Sequence, residues 1–429
     1  MISSVRAAAQ AARDASRKLA QLPETVRNAA LFAIAEALRV HASEIIRVNE
    51  TDVVAAAELP FAMRKRLVFD TKKLVEASKG VEAVAALEDP IGQTILAREL
   101  APDLNLYRVT CPIGVVGVVF ESRPDALIQI AALCLKSGNA AILKGGREAM
   151  ETNRLLFSVM NAAALDAGLP EAWAMLLETR EDVAEMLTQD DCIDLLIPRG
   201  SNAFVRYIKE NSRIPVLGHA AGLCHVYVDT AADLQMSLSI IRDSKLQYVA
   251  VCNAMETLLV HADCAPVLLP RLPEALPGTT IRGCNHTRVW LACDPATEDD
   301  WDTEYLDTIL SVRVVDSVED AIDHINQHGS GHTDAIVTED AEAAARFLQA
   351  VDSANVYWNC STRFSDGYRY GLGAELGVAT GKVHARGPMG VEGLTIHKYK
   401  LLGRGHTVQA TLDESFQYTH RLLQEDCPI

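Results

Sequence analysis

The stretch Ile113-Gly114-Val115-Val116-Gly117-Val118-Val119-Phe120 decides the fold. It is a continuous run of β-branched residues and glycine with no polar interruption. A half-exposed strand alternates polar and apolar side chains. An unbroken apolar run of this length marks a strand covered on both faces, as in a parallel sheet. Pro112 ends the segment before it, Glu121-Ser122-Arg123-Pro124 closes it, and residues 125–136 carry a helical pattern. A buried strand that leads into a helix is half of a βαβ unit.

The same rhythm continues downstream. Strands are predicted at 140–143, 173–177, 193–197 and 214–217, with helices at 148–167, 182–188 and 203–210. Such alternation implies right-handed crossovers and a parallel sheet, with ligands outside the carboxyl ends of its strands. A second run of strands and helices begins near residue 227. Its strands are predicted at 224–228, 257–261, 287–292, 309–315, 334–338 and 355–358, and its helices at 231–246, 318–328 and 341–349. Ahead of the first run lies helical sequence. In residues 24–48, Leu31, Ile34, Ala35, Leu38 and Ile45 share one face, and Pro60 breaks the helical region that reaches about residue 87. Residues 105–111 read as an edge strand or half of a hairpin, and 394–402 as a strand near the end. The fold class is α/β with two units, and the second carries Cys252.

Composition bounds the function. The chain has 429 residues, 49% hydrophobic and 23% charged, with a net charge of −17. This acidity argues against nucleic acid or an anionic membrane as the main partner, while a local basic pocket remains open. Ten cysteines are scattered without a Cys-x-x-Cys pair, so no metal site is expected and a reducing cytoplasm fits best. No apolar run reaches the roughly 18 residues that span a bilayer. The Ala/Arg-rich start, with Asp14 its one acidic residue, reads as a first helix.

Three places could carry chemistry. Lys144-Gly145-Gly146-Arg147 and Gly200-Ser201 are strand-to-helix turns where bare backbone meets a helix start, a seat for phosphate. Each alone is an ordinary glycine turn. Two in consecutive units with basic neighbours favour a nucleotide, although no G-x-G-x-x-G is present. Cys252-Asn253 lies before a buried strand. Most free cysteines fill cores, but a thiolate at a turn is a strong nucleophile, and Asn253 could donate to an oxyanion. The Gly-rich, aromatic loop 359–377 contains Arg363, suited to gripping a carboxylate or phosphate.

Several segments together resemble the γ-glutamyl phosphate reductases (glutamate-5-semialdehyde dehydrogenases), a branch of the aldehyde dehydrogenase superfamily. They are CPIGVVGVVFESRPD (111–125), SGNAAILKGGREA (137–149), LLIPRGS (195–201), IPVLGHAAGLCHVYVD (214–229), VCNAMETLLVH (251–261), DTEYLD (302–307) and the stretch 351–395. Their form is similar to the reductase half of the pyrroline-5-carboxylate synthases. The resemblance implies NADPH-dependent reduction of L-glutamyl 5-phosphate to glutamate 5-semialdehyde and phosphate, a step of proline synthesis. Cys252 would be the nucleophile that forms a thioacyl enzyme, with Asn253 and nearby backbone N–H groups as the oxyanion hole. The cofactor NADPH/NADP would use Lys144, Gly145, Gly146, Arg147, Gly200, Ser201 and Glu304. Ser122, Arg123, His219 and Arg363 would face the substrate.

Two departures from relatives inform the chemistry. Hydrolytic aldehyde dehydrogenases carry a glutamate base where Val216-Leu217-Gly218-His219 stands here, and its absence protects a thioester from water. Arg147 stands where NAD-using relatives carry an acidic ribose contact, and a cation there suits a 2′-phosphate. The resemblance further implies an NADP-binding domain at 1–98 and 112–226, a catalytic domain at 227–393, and an arm at 99–111 and 394–410 that joins a homodimer or homotetramer. A separate glutamate 5-kinase could supply the substrate. Two alternatives stay open: an acylating enzyme that uses CoA, and a non-catalytic scaffold.

Overall fold

A computed structural model describes residues 4–59, 61–121, 123–218, 221–412 and 417–429. Ser122 and His219, both expected at the substrate, and Pro60, expected as a helix break, lie outside the described residues.

Three sheets organise the described chain. A hairpin comes first: β1 (Thr94–Ala101) and β2 (Leu104–Pro112) pair antiparallel around Asp103, which takes a left-handed φ of 63°. The first parallel sheet follows, from β3 (Val115–Phe120), β4 (Ala140–Lys144), β5 (Ala174–Leu177) and β6 (Leu195–Arg199), in the order β5-β4-β3-β6. Every residue of β3 and of β4 is buried, as a strand covered on both faces requires. The helix Pro124–Lys136 begins with proline at its first turn, where a missing N–H leaves no bond unmade. It packs with Glu24–Val40 and Met150–Asp166, while Val5–Leu19 lies against β3, β4 and β5. The helical pattern of 24–48 divides at His41 (φ −91°, ψ 9°) into Glu24–Val40 and Ala42–Ala55.

The second sheet is wholly parallel. Its strands are β7 (Cys224–Val228), β8 (Met255–His261), β9 (Thr280–Gly283), β10 (Asp294–Pro295), β11 (Ile309–Val315), β12 (Thr333–Val337) and β13 (Asn355–Trp358), ordered β10-β9-β11-β8-β7-β12-β13. Two short strands, β14 (Val378–Ala379) and β15 (Gly387–Pro388), pair with each other. The chain returns through β16 (Thr395–Leu402), which zips onto β2 from Thr395↔Pro112 to Leu402↔Asn105, and β17 (Arg421–Leu423) adds to β1. The order of this third sheet is β16-β2-β1-β17.

Three expectations change. Residues 287–292 read as a strand from their β-branched content, but Thr287–Trp290 is a helical turn. Its amides bond locally, Leu291 N to Thr287 O at 3.0 Å, and the Thr287 hydroxyl bonds Val312 O at 3.0 Å. Residues 214–217 make only one bridge, Val216 to Leu196, because Pro215 has no N–H for a ladder. The buried apolar residues of 374–394 (Ala374, Leu376, Ala379, Met389, Val391 and Leu394) join the core around the first sheet, although they follow the second in sequence. No described helix is long and apolar enough to cross a membrane.

Candidate active site

Cys252 sits in the turn between the helix Leu234–Leu246 and the amino end of β8. That turn is pinned from three sides. The Cys252 carbonyl accepts from the Cys224 thiol at 3.2 Å, the Asn253 carbonyl accepts from the Thr362 hydroxyl at 2.8 Å, and Ala254 N closes the turn onto Val251 O at 3.1 Å. Gly222 packs against the Cys252 main chain, where any Cβ would collide with it. A turn held this firmly presents its side chain in one direction, and the Cys252 side chain is half-buried.

The surroundings of the thiol are cationic. Burial pushes the Cys252 pKa up, but the nearby His332 and the charge of Arg199 more than reverse this, so the net shift is downward. By contrast burial alone drives the Cys134 thiol up to about 12. Arg199 ends β6 and lies against Gly377, whose φ of +141° and lack of a Cβ make room for the guanidinium. Burial and the charge of Arg123 both lower the Arg199 pKa, while Glu375 and Cys252 raise it. Arg363 is buried, donates to Gln247 Oε1 at 2.9 Å, and feels the Cys252 charge as well. Arg199 and Arg363 thus both bear on the Cys252 sulfur, and Arg123 lies close enough to Arg199 to act on it.

Asn253 has a different neighbourhood. Its side chain is buried and donates to the Ser365 carbonyl at 2.7 Å, tying the Cys252 turn to the 359–377 loop.

Glu304 links segments that belong to the two parallel sheets. It accepts from Asn202 Nδ2 at 2.8 Å, just past the Gly200-Ser201 turn, and from Gly222 N at 2.8 Å, beside Cys252. The two glycine turns have carboxylates of their own. Glu121 Oε2 accepts from Ser201 N at 2.9 Å, and a Cβ at Gly200 would stand 2.6 Å from that oxygen. Glu148 crowds Gly146 in the same way. Lys144 is buried and donates to Gly145 O at 2.8 Å, while Arg147 is exposed.

Behind the site, Lys245 and Glu256 form a buried ion pair at 2.6 Å. Glu256 also accepts from Leu306 N at 3.1 Å, so it anchors the loop that carries Glu304. Burial lifts the Glu256 pKa to about 7 against the pull of Lys245.

His332, Arg199 and Glu121 are not marked by local sequence. His332 sits in Gly-Ser-Gly-His, which reads as a loop, and Arg199 and Glu121 flank motifs whose glycines draw the eye. A cue existed for Arg199: it ends a buried strand at the carboxyl edge of a parallel sheet.

Comparison with known proteins shows the family. The aldehyde dehydrogenase family model matches residues 2–286 and 295–373. A γ-glutamyl phosphate reductase of Pelotomaculum thermopropionicum is 55% identical over 425 residues, which cover 98% of each chain. One from Natronomonas pharaonis is 53% identical over 420 residues, 95% of each chain. The crystal structure of the Thermotoga maritima γ-glutamyl phosphate reductase matches with a TM-score of 0.92 at 38% identity, covering 94% of this chain and 99% of that one. An engineered glycolyl-CoA reductase with bound NADP+ shares the fold, with a TM-score of 0.64 at 14% identity.

Proposed function

The chain belongs to the aldehyde dehydrogenase family and, within it, to the γ-glutamyl phosphate reductases, and from that membership we propose that it reduces L-glutamyl 5-phosphate to L-glutamate 5-semialdehyde with NADPH, through a thioester on Cys252. The observation that carries this reading is a thiol at a pinned turn, with the guanidinium groups of Arg199 and Arg363 acting on it. A thiolate attacks a carbonyl carbon, and a cationic wall binds a substrate that carries both a phosphate and a carboxylate.

In this reading Arg199 and Arg123 take the phosphate, and Arg363 takes the α-carboxylate. Cys252 displaces phosphate and becomes a thioester. Asn253, whose amide nitrogen spends one of its two hydrogens on Ser365, and the backbone N–H groups of the Cys252 turn receive the developing oxyanion. Val216, where hydrolytic relatives carry a glutamate, leaves the thioester without a base to activate water.

NADPH, when bound, supplies the hydride that reduces the thioester. The chain fits it. Gly145 and Gly146 stand at the turn that leads from β4 into a helix, where backbone N–H groups can meet a phosphate, and exposed Arg147 offers a cation to a 2′-phosphate. Glu304, half-buried, is suited to a ribose hydroxyl. On this reading the first sheet and its helices form the cofactor unit and the second sheet the catalytic unit.

The third sheet would serve assembly. Its edge strand β16 exposes Ile396, Tyr399 and Leu401, apolar groups on an open edge that pairing with a second copy would cover. A homodimer or homotetramer built through this edge follows. The reducing cytoplasm suits the ten free cysteines.

The test runs in reverse, because the acyl phosphate is labile. Pyrroline-5-carboxylate, phosphate and NADP+ are supplied and NADPH is followed by absorbance. Phosphate-dependent turnover that vanishes in Cys252→Ala is the expected result. Turnover indifferent to phosphate, or turnover that needs CoA instead, overturns the reading.

A further inference from the structure

A cavity of about 580 Å³ is lined by residues of β11, of the helix Val318–His328 and of the segments 284–286 and 296–301. Its volume falls in the range of small-molecule sites, roughly 300–1,000 Å³. None of its lining residues belongs to the Cys252 turn, the two glycine turns or the 359–377 loop. Arg313, half-buried on β11, lines it. The guanidinium lies over the Trp301 ring, 5.5 Å from its centre, and Nη1 donates to His324 Nδ1 at 3.4 Å. Among the described residues Arg313 makes no other hydrogen bond and no ion pair, whereas Arg282 on the neighbouring strand β9 pairs with Asp300 at 2.5 Å. An arginine only donates, so His324 Nδ1 accepts and the imidazole proton sits on Nε2. His324 is 5% exposed, and its Nε2 meets no acceptor. Burial, with the charges of His225 and Arg313, pushes the His324 pKa down to about 2, so the ring stays neutral. A buried donor without an acceptor is costly, and a native fold keeps one where a ligand, ion or water takes its hydrogen bond.

Four carboxylates line the same cavity: Glu298, Asp316, Asp320 and Asp323, all exposed. None of them pairs with Arg313, so a cation lies deeper in the cavity and anions ring its mouth. Ligand classes meet this pattern differently. An anion such as phosphate is drawn to Arg313 but repelled by the four carboxylates. A diamine is held by the carboxylates but repelled by Arg313. A divalent cation needs several ligands together, and among the described residues no three acidic, histidine or cysteine side chains are placed to hold one. A molecule with a carboxylate and an ammonium group a few ångströms apart satisfies both signs. We propose that the cavity binds a free α-amino acid, its carboxylate on Arg313 and His324 and its ammonium group among the carboxylates of Glu298, Asp316, Asp320 and Asp323. Trp301 and His324 hold the guanidinium in place, and its unused N–H groups are a ready fork for a carboxylate. The site stands apart from the reductase reading and does not depend on it.

Binding is read by isothermal titration of the full chain with each of the protein amino acids and with inorganic phosphate. At least one amino acid should bind wild type. Arg363→Gln should bind it equally well, because Arg363 is assigned to the substrate at Cys252. Arg313→Gln should weaken it by about tenfold or more. The methyl ester and the N-acetyl derivative of that amino acid, each lacking one of the two charges, should not bind. The proposal is overturned if no amino acid binds, if binding is lost in Arg363→Gln but kept in Arg313→Gln, or if either derivative binds as well as its parent. Phosphate that binds through Arg313 more tightly than any amino acid overturns it as well. Should Arg313→Gln fail to fold, the exposed mouth decides. Glu298→Gln, Asp316→Asn, Asp320→Asn and Asp323→Asn together should weaken binding by a similar factor, and unchanged affinity in that variant sinks the proposal. Wild-type turnover that ignores phosphate removes the reductase reading and leaves this binding result as it stands.

Discussion

Gly222 lies flat against the nucleophile: a Cβ on it would stand 2.0 Å from the carbonyl oxygen of Cys252. No other residue type fits while that carbonyl stays where it is. The same glycine offers its N–H to Glu304, so one small residue joins the thiol turn to the loop that carries Glu304. Gly222→Ala must push the turn or the loop aside. The expected outcome is a fall in kcat/KM of about 100-fold, since a displacement near 1 Å costs that much in a positioned site. Iodoacetamide labelling of Cys252 should slow in parallel. Wild-type kinetics in Gly222→Ala would show that the turn is compliant.

The pair Lys245–Glu256 is predicted to matter for stability more than its distance suggests. Burial raises Glu256 to about 7 and lowers Lys245, so for each partner the desolvation cost exceeds the attraction. A carboxyl whose folded pKa lies above its unfolded 4.5 stabilises the fold fully below 4.5, and that contribution is lost as pH rises through about 7. The Tm should therefore fall between pH 5 and pH 8 through this group. Glu256→Gln, which strands Lys245, should cost about 3–5 kcal/mol in urea unfolding. The double replacement Lys245→Met with Glu256→Leu should recover most of that loss and flatten the pH slope. A double variant no more stable than the single one would contradict this account.

Glu121 occupies the amide of Ser201, which is proposed to face the cofactor. The carboxylate must leave before a dinucleotide settles there. Glu121→Gln removes the charge that repels the ligand and keeps the side-chain shape. The KM for NADPH should fall severalfold with kcat little changed. A KM that rises would mean that Glu121 helps to hold the cofactor.

Arg147 is exposed at the start of the turn helix that follows β4. Arg147→Glu places a negative charge where the 2′-phosphate of NADPH is proposed to lie. The KM for NADPH should rise by about tenfold or more, a 1.4 kcal/mol effect, while the KM for NADH stays level or improves. Equal changes for both cofactors would remove Arg147 from the 2′-phosphate site.

The first parallel sheet was legible because a strand buried on both faces has no polar residue to spare. Residues 113–120 and 140–143 show this, and β3 and β4 stand there with every residue buried. In the second sheet β7 is equally buried but carries His225, and β13 is an edge strand whose Trp358 is exposed. Short strands are harder. β9, four residues long, follows a Pro-broken stretch, and its partner β11 supplies the order that its own sequence does not state. Thr287–Trp290 erred in the other direction, since β-branched residues form a helical turn where local amide bonds and a threonine hydroxyl hold them.

The site divides along the same line. The sequence by itself singled out Cys252 as the candidate thiol, because the residues of its motif are local to it, and it marked the two glycine turns. Only the tertiary structure decided what surrounds them. Thr362 reaches the Cys252 turn and His332 reaches Cys224 beside it, both from distant loops, Asn253 turns its amide to Ser365, and Glu121 covers the Ser201 amide. The physical reason is range. Strand runs and turns are set by bonds within a few residues, whereas the charge on a sulfur depends on every group that folding brings within a few ångströms, whatever its place in the chain.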